Sequence, residues 1–206
     1  MSIFGIVLAA GTGERFGRPK SSVDISGRPM WRWSFDALES GGCDQVVVVG
    51  DVAGGVPGGD RRRDSVAAGL AVAPAATTYV LVHDAARPLA SAGLVRRVIE
   101  RLRVGDVEAV VPSIAVRDTL KHVSGDIVDR TIDRTDLVVA QTPQGFTFEA
   151  LVRSHEANDG DATDDAVLVE RGGGSVVIVA GEDHNLKVTY PGDLAVATAL
   201  AKELAP

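Results

Sequence analysis

The chain has 206 residues, 45% of them hydrophobic and 24% charged, with a formal net charge of −7. That length suits one domain with a substantial core, and the acidic balance excludes a broad nucleic-acid or anionic-membrane surface, so clustered cations stand out as local devices. A lone cysteine, Cys43, excludes internal disulfides and cysteine-based zinc clusters and fits a reducing cytosol. No basic-then-apolar leader precedes Ile3, and no apolar run nears the roughly 20 residues of a membrane span. A cytoplasmic enzyme or binding domain is expected.

The chain opens on an apolar run, Ile3 to Ala9, that reads as a buried strand and empties into a loop holding Gly11, Gly13 and Gly17 with Arg15, Arg18 and Lys20. Glycines let backbone N–H groups converge on an anion and the cations add full charge, so the loop is a candidate polyphosphate cradle. Two familiar glycine motifs fit poorly. A dinucleotide fingerprint needs glycine at position 16, where Phe16 stands, and an immediate helix, which Arg18-Pro19 disfavours. Asp51, just past the second apolar run, keeps a nicotinamide-linked reading as a remote alternative. The ATPase-type phosphate loop fails because Gly17 is followed by Arg18, and Lys20-Ser21 has no glycine before it.

Beyond the loop, Met30 to Leu38 carries apolar residues at helical spacing and ends at Gly41-Gly42, and Gln45 to Val49 reads as a second buried strand closed by Gly50. Asp51 to Asp60 is a Gly- and Pro-rich loop, Asp64 to Ala73 a helix, Tyr79 to His83 a third strand, Ala90 to Arg103 a helix and Val107 to Ile114 a fourth strand. Ala115 to Ala140 is polar and β-branched, with hairpin punctuation at Ser124-Gly125-Asp126, and reads as a protruding β-arm. Phe148 to Asn158 and Asp164 to Arg171 are helical, Ser175 to Ala180 is a strand and Pro191 to Leu204 a closing helix. The alternation predicts a single α/β domain: a mostly parallel sheet flanked by helices, with ligands at the strands' C-terminal ends.

Polar clusters fall where that rule wants them. Gly58-Gly59-Asp60 precedes Arg61, Arg62, Arg63, Asp64 and Ser65; glycines beside a helix start suit a flat base or ribose, and Ser65 offers a hydrogen bond. His83-Asp84-Ala85-Ala86-Arg87-Pro88 ends the third strand. Asp84 is placed to hold Mg²⁺, a hard cation wanting carboxylate oxygen, while Arg87 either pairs with Asp84 or binds phosphate. His83 reads as a packed or hydrogen-bonded core residue, and the dispersed His122, His155 and His184 receive no catalytic role. Of the later clusters, Arg134 and Lys187 are the candidates for a second anionic group.

Taken in order, LAAGTGERFGRPK, GGDRRRDSV, VHDAARP, VRDTLK, DRTDL, QTPQGF, TDD and NLKVT resemble the 2-C-methyl-D-erythritol 4-phosphate cytidylyltransferase family, from about residue 3 to about residue 198. The glycine loop alone indicates only a Rossmann-like nucleotidyltransferase of the glycosyltransferase-A-like type. The resemblance implies transfer from CTP to the polyol phosphate with Mg²⁺ and loss of pyrophosphate, in non-mevalonate isoprenoid synthesis. It implies that Arg15 and Lys20 neutralise the triphosphate, and that Ala9, Ala10, Gly11, Gly59, Asp60 and Ser65 contact the nucleotide. Asp84 matches the acid at the metal and sugar-phosphate site, and Arg87, Thr119, Arg134, Thr142 and Lys187 match residues around the polyol phosphate. The family's arm swaps between subunits of a homodimer, which would carry Arg134 into the neighbouring site. Two departures stand out: Ser21 and Ser22 follow Lys20 where the family usually has Gln and an aromatic, and the Asp51 to Gly58 loop is short. The rivals are a ribitol 5-phosphate cytidylyltransferase and a non-catalytic nucleotide-binding module.

Overall fold

The computed structural model describes residues 1–11, 16 and 23–204. In chain order the elements are β1 (Ser2–Leu8), β2 (Asp24–Ile25), β3 (Arg28–Pro29), α1 (Met30–Gly41), β4 (Gln45–Val49), α2 (Arg62–Leu70), β5 (Thr77–Asp84) and α3 (Ala92–Arg103). There follow β6 (Ala109–Ala115), β7 (Leu120–Ser124), β8 (Ile127–Ile132), β9 (Val138–Ala140), β10 (Gln144–Thr147), α4 (Phe148–Ala157), α5 (Ala166–Arg171), β11 (Val176–Ala180) and α6 (Pro191–Leu204). The main sheet runs β11-β6-β10-β5-β1-β4, with β9 also on β6. Strands β4, β1 and β5 are mutually parallel, as are β6 and β11.

Alternation along the buried strands supplies both faces of the core. On one face Ile3, Val7 and Leu81 meet Leu38 of α1 and Val95, Val98 and Leu102 of α3. On the other, Phe4, Ile6, Val80 and Val82 meet Val66 of α2, Leu151 of α4 and Val169 of α5. Helix α6 closes a satellite cluster with Phe16, Val23, Met30 and Val188. The result is the expected α/β architecture, a mostly parallel sheet covered on both sides.

Several elements differ from the sequence reading. Gln144–Thr147, left without an element, is a strand inserted antiparallel between β5 and β6, with Phe146 fully buried. Its four residues are too short to show a period, so only the tertiary pairing reveals it. The arm is also shorter than the 115–140 span expected. Its hairpin is β7–β8, turning at Gly125 with φ 64°, while β9 returns to pair with the end of β6. Helix α2 starts at Arg62, ahead of the expected Asp64, because the Asp64 carboxylate accepts the Arg61 N–H at 3.1 Å and so caps the first turn from inside it.

Candidate active site

Strands β1 and β5 end side by side, Leu8 in register with Asp84, and the chain beyond each is pinned at once. The Ala9 N–H donates to the Val49 carbonyl at 2.7 Å, and the Ala85 N–H to the Leu8 carbonyl at 3.0 Å. Above these ends lies a cavity of ≈ 190 Å³ whose wall includes the Ala9–Gly11 turn, Arg62, Ser65, Asp84 and Lys187. A second concavity of ≈ 290 Å³ shares Ala10, Gly11, Arg62 and Ser65 and adds Gly59, Asp60 and Arg61. This is the crevice outside the carboxyl ends of the strands where α/β folds hold ligands.

Asp84 is the electrostatic centre. Lys187 Nζ donates to its Oδ2 at 2.6 Å, and Arg62 Nη2 lies 3.5 Å from Oδ1. Burial by itself would push this carboxyl up; Arg62 and Lys187 outweigh burial and hold it far below the usual carboxylate range. Arg62 continues the chain of charge: its Nη1 donates to Asp165 Oδ2 at 2.6 Å, and His155 Nε2 meets Asp165 Oδ1 at 3.1 Å. Burial opposes the Arg62 cation, yet Asp165 and Asp84 raise its pKa above the ordinary arginine value.

On the nucleotide side, Ser65 sits in the first turns of α2 and its Oγ accepts the Gly59 N–H at 3.2 Å. That bond fixes the Gly58-Gly59-Asp60 bend, leaving Gly59 and Asp60 exposed at the rim. Gly58 is required there, since a Cβ would overlap the Ala10 side chain. Arg15 and Lys20, expected to be the catalytic cations, lie outside the described residues, as do Ser21 and Ser22.

Around the second-substrate position, Arg87 is committed to the backbone. Its Nη1 donates to the Asn185 carbonyl at 2.8 Å and its Nη2 to the Ala140 carbonyl at 3.1 Å. Asp84 is near enough to favour its charge, but burial dominates and lowers its pKa. Thr142 is buried, with Oγ1 accepting the Asp84 N–H at 3.1 Å and lying 2.8 Å from His83 Nδ1. Burial drives His83 down to about 4, Arg87 adding to the effect and Asp84 opposing it, so the ring is uncharged near neutral pH. Thr119 and Arg134 are exposed near the base of the arm and line neither cavity, Arg134 donating to the Arg117 carbonyl.

A family model described as IspD, 2-C-methyl-D-erythritol 4-phosphate cytidylyltransferase, matches residues 3–203. The chain belongs to this family. It is 47% identical over 219 residues to the enzyme of that name from Rhodococcus jostii, covering 98% of this chain and 96% of the relative. It is 41% identical to a bifunctional IspD/IspF enzyme from Granulibacter bethesdensis, covering 95% of this chain and 55% of that longer protein. The crystal structure of the Thermus thermophilus cytidylyltransferase superimposes with a TM-score of 0.83 at 34% identity, covering 96% of this chain and 98% of that one.

Arg62 lines both cavities and Asp165 holds it from beneath, although the sequence reading gave neither a role. A signal was present: Arg62 stands three residues before Ser65, so a helix starting there puts both on one face. For Mg²⁺, the first cavity offers a single carboxylate, Asp84, and the described residues hold no convergent group of three or more His, Cys, Asp or Glu side chains. Such a site fits Mg²⁺ that takes most of its oxygens from water and substrate phosphates, and does not fit an all-protein cage.

Proposed function

We propose that the protein joins CTP to 2-C-methyl-D-erythritol 4-phosphate, giving CDP-methylerythritol and pyrophosphate in non-mevalonate isoprenoid precursor synthesis. The observation that carries this reading is the Asp84 carboxylate, held by Arg62 and Lys187 in the cavity that the Ala9–Gly11 turn lines. A phosphate oxygen of the polyol attacks the α-phosphorus of CTP in line. A P–O bond forms, the bond from the α-phosphorus to the bridging oxygen breaks, and pyrophosphate leaves with that electron pair. A phosphate monoester has its second pKa near about 6, so the nucleophile is ionised without a strong general base. The protein's task is therefore positioning and neutralisation, which matches a site rich in arginine and lysine.

Ala9, Ala10, Gly11, Gly59, Asp60 and Ser65 take the nucleotide in this reading, and Arg15 and Lys20 neutralise its triphosphate. Lys187 and Arg87 face the polyol phosphate side, with Thr142 fixing the backbone there and Thr119 and Arg134 contributed by the arm. Mg²⁺, held by Asp84, would supply further neutralisation of phosphate charge. The hairpin exposes Val123, Ile127 and Val128 at 52–67% of their surface, a pattern that fits burial against a second subunit and delivery of Arg134 to the neighbouring site. Among the described residues no helix is long and apolar enough to cross a membrane. We place the enzyme in the cytoplasm.

The test is pyrophosphate release with CTP and Mg²⁺, comparing 2-C-methyl-D-erythritol 4-phosphate, ribitol 5-phosphate and no acceptor. Release dependent on the methylerythritol substrate supports the assignment. A higher kcat/KM for ribitol 5-phosphate overturns the choice of acceptor, and CTP binding without turnover on either overturns the enzymatic reading.

A further inference from the structure

His83 is a fully buried polar residue on β5 that the reaction as described does not use. Its neighbourhood shows a gap in the sheet. Strand β10 pairs with β5 only from Gln144, opposite Val82. Continuing that register would place residue 142 opposite Asp84, but Pro143 intervenes and the ladder stops. The Asp84 N–H, left without a strand carbonyl on that side, donates to the Thr142 hydroxyl at 3.1 Å. Accepting this bond leaves the hydroxyl's own proton to be placed, and His83 Nδ1 stands 2.8 Å away. The other end of Thr142 is fixed too, because its carbonyl accepts Asn185 Nδ2 at 2.8 Å.

We propose that His83 is a positioning residue for the transfer reaction: by accepting a hydrogen bond from the Thr142 hydroxyl at Nδ1 it turns that oxygen toward the Asp84 amide and so sets where the Asp84 carboxylate meets Arg62 and Lys187. The inference rests on the reading of Asp84 as part of the active site. A hydroxyl without the imidazole can rotate away, and the last residue of β5 then loses the bond that replaces its missing ladder partner. The expected signature is a lower kcat at nearly constant nucleotide affinity, since the Ser65, Gly59 and Ala9–Gly11 groups are untouched.

The test compares His83→Leu, His83→Asn and His83→Gln in pyrophosphate release with CTP, Mg²⁺ and 2-C-methyl-D-erythritol 4-phosphate. Asn carries an amide near the Nδ1 position, Gln near Nε2, and Leu neither. His83→Leu should lose about tenfold in kcat, the scale of one positioning hydrogen bond, with the CTP Kd within about twofold, and Asn should recover most of it. Thr142→Val combined with His83→Leu should be no worse than the poorer single variant, because one path is broken in each. Equal losses in Asn and Leu, or losses that multiply in the double variant, would overturn the role. Should Leu fail to fold, Asn active with Gln impaired supports it, and equal Asn and Gln activity overturns it. Asp84→Asn run alongside separates the failures. An unchanged rate there removes the site reading and this inference together, whereas a fallen rate with no His83 discrimination removes this inference alone.

Discussion

Lowering the pH from 7.5 to 5 should cost this protein about 2 kcal/mol of stability through His83 alone. The ring is fully buried, and burial together with Arg87 holds its folded pKa at about 4 against 6.5 in an open chain. Between those values the unfolded chain binds a proton that the native ring refuses, so stability rises with pH across the window. Each unit is worth about 1.4 kcal/mol, which gives roughly 2 kcal/mol by pH 5, about 3 at pH 4 and a ceiling of about 3.5 below pH 3. Asp84 works in the same direction, but its depressed carboxyl contributes stability that begins to fade only as the pH nears 3.8, its ordinary value, so it does not intrude above pH 5. The assay is urea unfolding at several pH values for wild type and His83→Asn, which has nothing to titrate. Whatever His83→Asn costs at pH 7.5, wild type should lose about 2 kcal/mol relative to it by pH 5. A difference independent of pH would refute the reasoning and mean that water or a proton reaches the native ring.

Arg62→Met should destabilise by about 3 kcal/mol, because it strands the Asp165 carboxylate, only 1% exposed, with a His155 hydrogen bond in place of its arginine. For a chain of this size that is a fall of roughly 6–12 °C in Tm, and an unchanged Tm would show that Arg62 does not hold Asp165 in place. If the arm delivers Arg134 to the second substrate of a neighbouring site, as proposed, Arg134→Ala should lower pyrophosphate release by about 10²–10³ while the CTP Kd stays within about twofold. Calorimetric titration of CTP checks the second half, and a parallel loss of nucleotide affinity would put the arm elsewhere.

Most of the scaffold was legible because its elements are long and strongly patterned. QVVVV and YVLVH are near-continuous apolar runs, as strands covered on both faces must be, and PGDLAVATALAKEL gave α6 its observed limits. Strand β10 was not legible: QGFT has one large apolar residue and sits centrally only because β5 and β6 leave a slot for it. The arm's outer part announced itself through the Ser124-Gly125-Asp126 turn, whereas VVA at 138–140 resembles arm and sheet equally until β6 claims it. Within the site, Asp84 was visible as an acid at the end of an apolar run, and Lys187 as a cation in the polar cluster Asp183 to Thr189 that follows the last strand. Arg62 was hidden among Arg61, Arg62 and Arg63, whose partners lie up to 103 residues away: Arg61 reaches Asp64 and the Asp159 carbonyl, Arg62 reaches Asp84 and Asp165, and Arg63 reaches the carbonyls of His155 in the last turn of α4 and of Gly160 beyond it. One position around a helix separates these fates, and sequence alone does not set that phase when the helix start is misplaced by two residues.

The same geometry explains how an acidic chain presents a site to a polyanion. Arg62 and Lys187 ion-pair with Asp84 and Arg62 also with Asp165, while Arg87 favours the Asp84 charge from nearby with its own hydrogen bonds on backbone carbonyls, in a chain whose formal charge is −7. Without the acids, three cations drawn together in a partly desolvated cleft would repel one another and adopt no fixed arrangement. Asp165, the more deeply buried, anchors Arg62 for good; Asp84, 12% exposed in its side chain, faces the cavity and can exchange the half-exposed Lys187 for other charge. In the proposed reaction an arriving phosphate would find cations already aimed, with no reorganisation left to pay. The acid that looks out of place among phosphate ligands is what holds those ligands ready.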